Sequence, residues 1–289
     1  MSNPLWQDAP ETDGWRRYLI ADVFTDRPLE GNQLGVFLDA RGLATDHMRR
    51  VARELNLSET VFFLPPQADG DARIRIFTPA SELPFAGHPV LGSAFVLAGL
   101  LGKQRVVLET GLGEIPVEVD AASGFGEMEQ RVPSPEPYER TEDLLEALNL
   151  SSSELPVEAY LNGPRHVYVA LPSEADVASL QPDISKLSEH LTGTNCFAGR
   201  GKTWKTRMFA PYHGVAEDPA TGSAAGPLAV HLARHNRIDF GEQIEISQGA
   251  EIGRPATLYA RVEGSQHSIE HVYVGGYAVI VARGEYRLS

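Results

Sequence analysis

The chain has a single cysteine, Cys196, in 289 residues. A lone thiol forms no intramolecular disulfide, supplies no multi-thiolate zinc site and cannot serve a two-thiol racemase. In Thr194-Asn195-Cys196-Phe197 it reads as a buried strand residue rather than a nucleophile. Positive charge is scarce too: 25 Lys and Arg stand against 39 Asp and Glu, a net charge of -14. That balance argues against a nucleic-acid partner, which needs a basic face, and equally against docking on an anionic membrane. The most apolar run, Val90 to Leu101, is too short to span a bilayer. Residues Met1 to Trp15 are polar and acidic, without the basic and apolar regions of a signal peptide, so a cytoplasmic protein is expected.

Several familiar motifs are missing as well. There is no G-x-G-x-x-G turn and no regular βαβ alternation, which disfavours a Rossmann fold. Thr221-Gly222-Ser223-Ala224-Ala225 is not the G-x-S-x-G elbow of a serine hydrolase. His231 and His235 are spaced like zinc ligands on a helix, but no HExxH glutamate accompanies them, so they read as surface histidines. The basic run Arg200 to Lys205 reads as a solvated hairpin.

What is present is ordinary globular material, 42% hydrophobic and 22% charged, with enough length for one large domain or two. Strands are expected at Arg17 to Phe24, Leu34 to Leu38, Glu59 to Leu64, Arg73 to Phe77, Val106 to Glu109 and Ile115 to Val119. Thr45 reads as an N-cap, with Met48, Val51, Ala52 and Leu55 following at helical spacing. Val90 to Leu101 is apolar on every face, so strands must wrap that helix. Gly124 to Pro137, with Pro133, Pro135 and Pro137 alternating, reads as turns and as a boundary. The expected organisation is an extension at 1–16 and two domains. These are residues 17–130 and 131–289, with a last strand able to cross back. The later half repeats the theme, with short helices between Thr141 and Leu191 and a second apolar helix from Ala224 to Arg234. Its strands are expected at Val157 to Leu161, Arg165 to Leu171 and Lys205 to Phe209. Others follow near Gln243 to Ile246, Ala256 to Val262, Ser268 to Val274 and Ala278 to Ala282.

The halves carry degenerate copies of one series. Phe77-Thr78-Pro79, then Glu82 to His88, then an apolar helix, is matched by Phe209-Ala210-Pro211, then Glu217 to Ser223, then another. The second loop is three residues longer. The class is therefore α+β: two pseudo-equivalent domains, each a curled, mostly antiparallel sheet around a central helix. A small-molecule site is expected in the cleft between them, with both helix N-termini offering N–H groups to one anion.

Four side chains carry candidate chemistry. Glu59 enters the apolar run Val61 to Leu64, where desolvation raises a carboxyl from about 4.3 toward neutrality and lets it take and return a proton. Its plainer alternative is a strand-edge glutamate facing water. His88 lies after Gly87 and before Pro89; otherwise it is a loop histidine satisfied by backbone. Asp218 can orient His88 or hold a ligand ammonium or hydroxyl; otherwise it is a turn aspartate before Pro219. Ser223 occupies the position equivalent to His88; otherwise it is an N-cap.

At these residues the sequence resembles the phenazine-biosynthesis isomerase family known as PhzF. The matching segments include Pro28 to Asn32, Arg53 to Glu59, Arg75 to Pro79 and Glu82 to Pro89. Others are Asn162-Gly163-Pro164-Arg165-His166-Val167, Asn195 to Gly199, Glu217-Asp218, and Thr221 through Leu228. The resemblance implies a diaminopimelate-epimerase-like fold, a homodimer, and neither cofactor nor metal. It implies an isomerase that turns trans-2,3-dihydro-3-hydroxyanthranilate into an aminoketone precursor of phenazines. The family's catalytic glutamate falls on Glu59, moving a proton from C3 to C1. Its supporting residues fall on His88, Asp218 and Ser223, with Asp218 and His88 on the amino group and Ser223 on the carboxylate. Gly87 and Gly222, flanked in their motifs by residues such as Ala224, and Ser58 beside Glu59, are its substrate-binding positions. Two other readings stay open: an isomerase or epimerase of the same fold acting on another small amino or hydroxy acid, and a non-catalytic ligand-binding homologue.

Overall fold

A computed structural model describes residues 4–6, 14–120 and 122–288, so most of the expected extension at 1–16 lies outside the described residues. The chain forms two compact units, Met1–Met128 with Gly275–Ser289, and Glu129–Val274.

The first unit runs β1 (Trp15–Val23), β2 (Asn32–Phe37), α1 (Thr45–Leu55), β3 (Glu59–Leu64) and β4 (Ala72–Phe77). It continues with β5 (Glu82–Leu83), α2 (Gly87–Leu101), β6 (Arg105–Thr110), β7 (Gly113–Asp120) and β8 (Phe125–Gln130), within which the unit ends. Antiparallel pairs join β1 to β2, β3 to β4, and β6 through β7 to β8. The pairs β2–β3 and β4–β6 are parallel. Parallel neighbours need a crossover, and α1 and α2 supply one each. Helix α1 turns Met48, Val51 and Ala52 onto Phe37, Phe62 and Phe77, whose rings pack at centroid distances of 4.9 and 5.6 Å. Thr45 is the first helical residue and Ala44 the N-cap; Thr45 instead accepts a hydrogen bond from Arg75. Helix α2 is buried from Gly87 through Ala94 and packs against β1, β2, β3, β6 and β7, as its apolar circumference requires.

The second unit begins with β9 (Ser134–Pro137), α3 (Thr141–Ala147), β10 (Glu158–Leu161), β11 (Arg165–Ala170), α4 (Glu174–Ser179) and α5 (Ile184–Ser188). Then come β12 (Gly193–Arg200), β13 (Thr203–Ala210), β14 (Val215–Asp218), α6 (Gly222–Arg234), β15 (Gln243–Gln248), β16 (Ala256–Ser265) and β17 (Ser268–Arg287). Its parallel pairs are β11–β12, crossed by α4 and α5, and β13–β15, crossed by α6. Both units therefore share one plan, antiparallel pairs interrupted by two helical crossovers, and both bury the second crossover helix. Cys196 lies fully buried in the core with Val167, Val169, Phe209 and Leu187, and burial pushes its thiol far above the ordinary range.

Three sequence expectations need correction. The proline-rich stretch is strand, not turn: β9 pairs with β10, Pro135 opposite Tyr160 and Pro137 opposite Glu158. Alternate prolines place their missing N–H groups on one side of a strand, which an edge strand tolerates. The segments expected at Ser268 to Val274 and Ala278 to Ala282 are one strand, and its far part pairs with β1. Gly275-Gly276 does not break it, because Phe24 occupies the space where a Gly276 side chain would stand, 2.4 Å from an ideal Cβ. Finally, Val215–Asp218 is a strand that no periodicity announced, whereas Cys196 lies in strand Gly193–Arg200 as expected.

Candidate active site

In the first unit, Asn56 ends α1 in the left-handed region at φ 52° and turns the chain into β3. Glu59 opens that strand, opposite Leu34 of β2, with Ser58 just before it. Helix α2 begins at Gly87, so His88 is its second residue. The two elements bring His88 Nδ1 to 3.4 Å from Glu59 Oε2. Burial lowers the His88 pKa to about 3, against a weaker opposing effect of the Gln33 backbone. The imidazole is therefore neutral at ordinary pH, and the contact sets a carboxylate beside an uncharged ring rather than forming an ion pair. The Glu59 side chain keeps 16% exposure, so it is neither sealed in the core nor a freely solvated edge residue.

In the second unit the loop before α6 divides its labour. Glu217 is structural: Arg207 donates to both its carboxylate oxygens at 2.9 and 2.8 Å, and also to the carbonyls that end α4. Asp218 is buried, accepts from the Thr221 hydroxyl at 2.5 Å, and its carbonyl accepts from Gln248 Nε2 at 2.8 Å. Thr221, not Ser223, is the N-cap of α6, and its hydroxyl serves Asp218 instead of capping. Helix α2 likewise starts without a side-chain cap, from Ala86. Each helix thus begins with N–H groups that intrahelical bonding leaves over and that no capping side chain takes. Gly87, Gly222, Ser223 and Ala224 all lie, buried, in these first turns.

The start of α6 is fixed by side chains that sequence reasoning did not assign. Pro227 lies inside the helix and has no N–H for the Ser223 carbonyl four residues earlier. Asn162 Nδ2 donates to that carbonyl at 3.3 Å and to Gln130 Oε1 at 2.8 Å. Gln130 Nε2 donates to the Gly222 carbonyl, and the Tyr168 hydroxyl to that of Ala224. The Ser223 hydroxyl itself lies 3.0 Å from His166 Nε2. Asn162 and His166 stand in the Asn-Gly-Pro-Arg-His segment that carried the resemblance; the available signal was that His166 and Tyr168 share one face of a strand.

His231 is fully buried, not a surface residue. Its ring stacks near Tyr168, and Glu158 Oε2 accepts from Tyr160, Arg234, His231 and His235 at 2.8 to 3.2 Å. Burial opposes ionisation of Glu158, yet these donors hold its carboxyl well below the usual range. Glu158, His231 and His235 place potential ligand atoms within 4.8 Å of one another. The Arg234 guanidinium already brings positive charge 2.8 Å from the shared oxygen, so the cluster reads as a structural hub.

A family model described as phenazine biosynthesis-like protein, PhzC-PhzF, matches residues 21–284. The chain is 52% identical over 271 residues to the trans-2,3-dihydro-3-hydroxyanthranilate isomerase of Pseudomonas chlororaphis, covering 92% of this chain and 98% of the relative. It is 50% identical over 272 residues to the protein of the same name from Pseudomonas aeruginosa, covering 93% and 98%. A solved PhzF-family phenazine biosynthesis protein from Bacillus anthracis superposes with a TM-score of 0.84 at 25% identity, covering 94% and 99%.

Proposed function

The chain belongs to the phenazine biosynthesis-like PhzC-PhzF family, and from that membership we propose that it is a trans-2,3-dihydro-3-hydroxyanthranilate isomerase that needs no cofactor. The reaction moves one proton from C3 to C1 while the double bonds shift, so substrate and product have the same composition and no electrons are exchanged. One group must take the proton and return it. The observation that carries this reading is Glu59, partly open and 3.4 Å from a neutral His88. A side-chain carboxyl placed at the substrate can take the proton from one carbon and return it to another. In line with the family resemblance, Asp218 and His88 are assigned to the amino group, and Ser223 with the first-turn N–H groups near Gly87 and Gly222 to the ring carboxylate, with Ser58 and Ala224 as further binding positions. We further propose a cytoplasmic homodimer, in line with the family resemblance; sedimentation at micromolar protein tests the dimer.

The direct test mixes purified protein with trans-2,3-dihydro-3-hydroxyanthranilate and follows the substrate absorbance and the product spectrum. Catalytic loss of substrate supports the assignment. Tight binding with no change in absorbance indicates a binding protein instead. Neither binding nor turnover, together with proton exchange in another small amino or hydroxy acid, moves the chain to a different isomerase of this fold.

A further inference from the structure

Ser223, His166 and Asn195 stand in the order of a nucleophile, a base and an orienting residue. Ser223 Oγ is 3.0 Å from His166 Nε2, and His166 Nδ1 is 3.4 Å from Asn195 Nδ2. All three are buried. Such an arrangement on other folds activates a serine for acyl transfer, with the imidazole removing its proton. The hydrogen-bond directions decide whether it does so in this chain.

Asn195 Nδ2 also lies 3.4 Å from the Val167 carbonyl, which can only accept. The amide nitrogen therefore faces that carbonyl, and its second hydrogen meets His166 Nδ1, which must be the acceptor. A neutral imidazole carries one N–H, so the proton sits on Nε2 and is donated to Ser223 Oγ. An Nε2 that already holds a proton cannot withdraw the serine's.

We propose that Asn195, His166 and Ser223 form a one-way donor chain, in which His166 is a positioning residue that aims the Ser223 proton at a bound carboxylate. With Oγ accepting from His166, its own O–H points elsewhere and supplies a hydrogen bond to an anion at the start of α6. The identity of that anion rests on the proposed function; the direction of the chain does not. Two further features agree with it. Burial lowers the His166 pKa to about 3, with nearby His213 lowering it further, so no imidazolium competes for the anion. Gly193, directly across from His166 in the parallel register, leaves room for the ring, since a Cβ there would come within 2.8 Å of Nδ1.

The decisive experiment is nitrogen NMR of the imidazoles in the intact, histidine-labelled protein. His166 should show a protonated Nε2 and a bare Nδ1, unchanged from about pH 5 to 8. A bare Nε2 with a protonated Nδ1 overturns the proposal, whether or not the protein is an isomerase. A fluorophosphonate serine probe should leave Ser223 unlabelled; stoichiometric labelling there also overturns it. With the substrate, His166→Leu should raise KM by about tenfold or more, the range of a hydrogen bond to a charged group, with a much smaller change in kcat. His166→Gln, which restores an N–H donor, should recover most of that loss. Equal KM effects for Leu and Gln contradict the donor role and leave only packing. Absence of turnover in the unaltered protein would defeat the proposed function and leave the NMR result standing.

Discussion

Arg75 holds both carboxylate oxygens of Glu82 at 2.7 Å and stands 5.1 Å over Phe77; Arg207 holds Glu217 at 2.9 and 2.8 Å and stands 5.0 Å over Phe209. The same clasp thus closes the loop before the buried helix in each half. The longer second loop accommodates its extra residues in a short 3-10 turn, Pro211–His213, without losing the clasp. What differs is what the clasp presents. Leu83 pairs with Ile76 in the first half, where Asp218 pairs with Met208 in the second. The helices then open with different polar groups, His88 beside Glu59 and Ser223 beside His166. The frame is duplicated and the chemistry is not, which suits one proton carrier served by a separate anion grip.

The largest stability difference is expected between the two clasps. Side chains of Arg207 and Glu217 keep only 9% and 10% exposure, against 23% and 33% for Arg75 and Glu82. Glu217→Ala strands a buried guanidinium and should destabilise by about 3–5 kcal/mol. Glu82→Ala should cost below about 1 kcal/mol. Urea denaturation of both variants tests the contrast, and equal losses would show that burial does not separate the clasps.

Next comes the device specific to α6. Asn162→Leu removes the donor for the Ser223 carbonyl and should cost about 1–3 kcal/mol. Introduced together with Pro227→Ala, which restores a helical N–H for that carbonyl, the same change should cost measurably less. Additive losses would detach Asn162 from the proline.

Each half also buries one neutral histidine in its first turn or against it. His88 and His166 both have pKa values lowered from 6.5 to about 3 by burial. Below pH 6.5 the unfolded chain takes up protons that the native chain refuses, so stability falls as pH falls toward 3. The slope is about 1.4 kcal/mol per pH unit for each histidine. Comparing the unaltered protein with His88→Gln in denaturation series at several acidic pH values should show a shallower decline in the variant. The smallest effect is expected from alkylation: the buried Cys196 should remain unmodified in the native protein, with activity unchanged. Inactivation on stoichiometric labelling of Cys196 would contradict its placement.

The repeat was legible because proline, glycine and paired Glu positions mark turns regardless of tertiary context, and two all-apolar helices can only be core. Glu59 to Leu64 was legible for a similar reason: a β-branched and aromatic run after an asparagine stop has few alternatives. The bonds around Ser223 were not legible, because nothing local in Asn162, His166 or Asn195 tells which helix carbonyl or hydroxyl they will meet. The burial of His231 was hidden for the same reason: its i, i+4 spacing to His235 says nothing of Tyr168 and Glu158 on other strands. Beta pairing of the proline-rich stretch, Ser134 with Leu161 through Pro137 with Glu158, depended on a partner distant in sequence, which local turn propensity ignores.

The central claim is that Glu59 alone carries the proton. Glu59→Gln keeps the size of the side chain and removes its basicity. Turnover of trans-2,3-dihydro-3-hydroxyanthranilate should drop by about a thousandfold or more, within the span that general acid–base groups contribute, while substrate binding and the melting temperature stay nearly unchanged. Turnover within about tenfold of the unaltered enzyme, measured on equally folded protein, would contradict it.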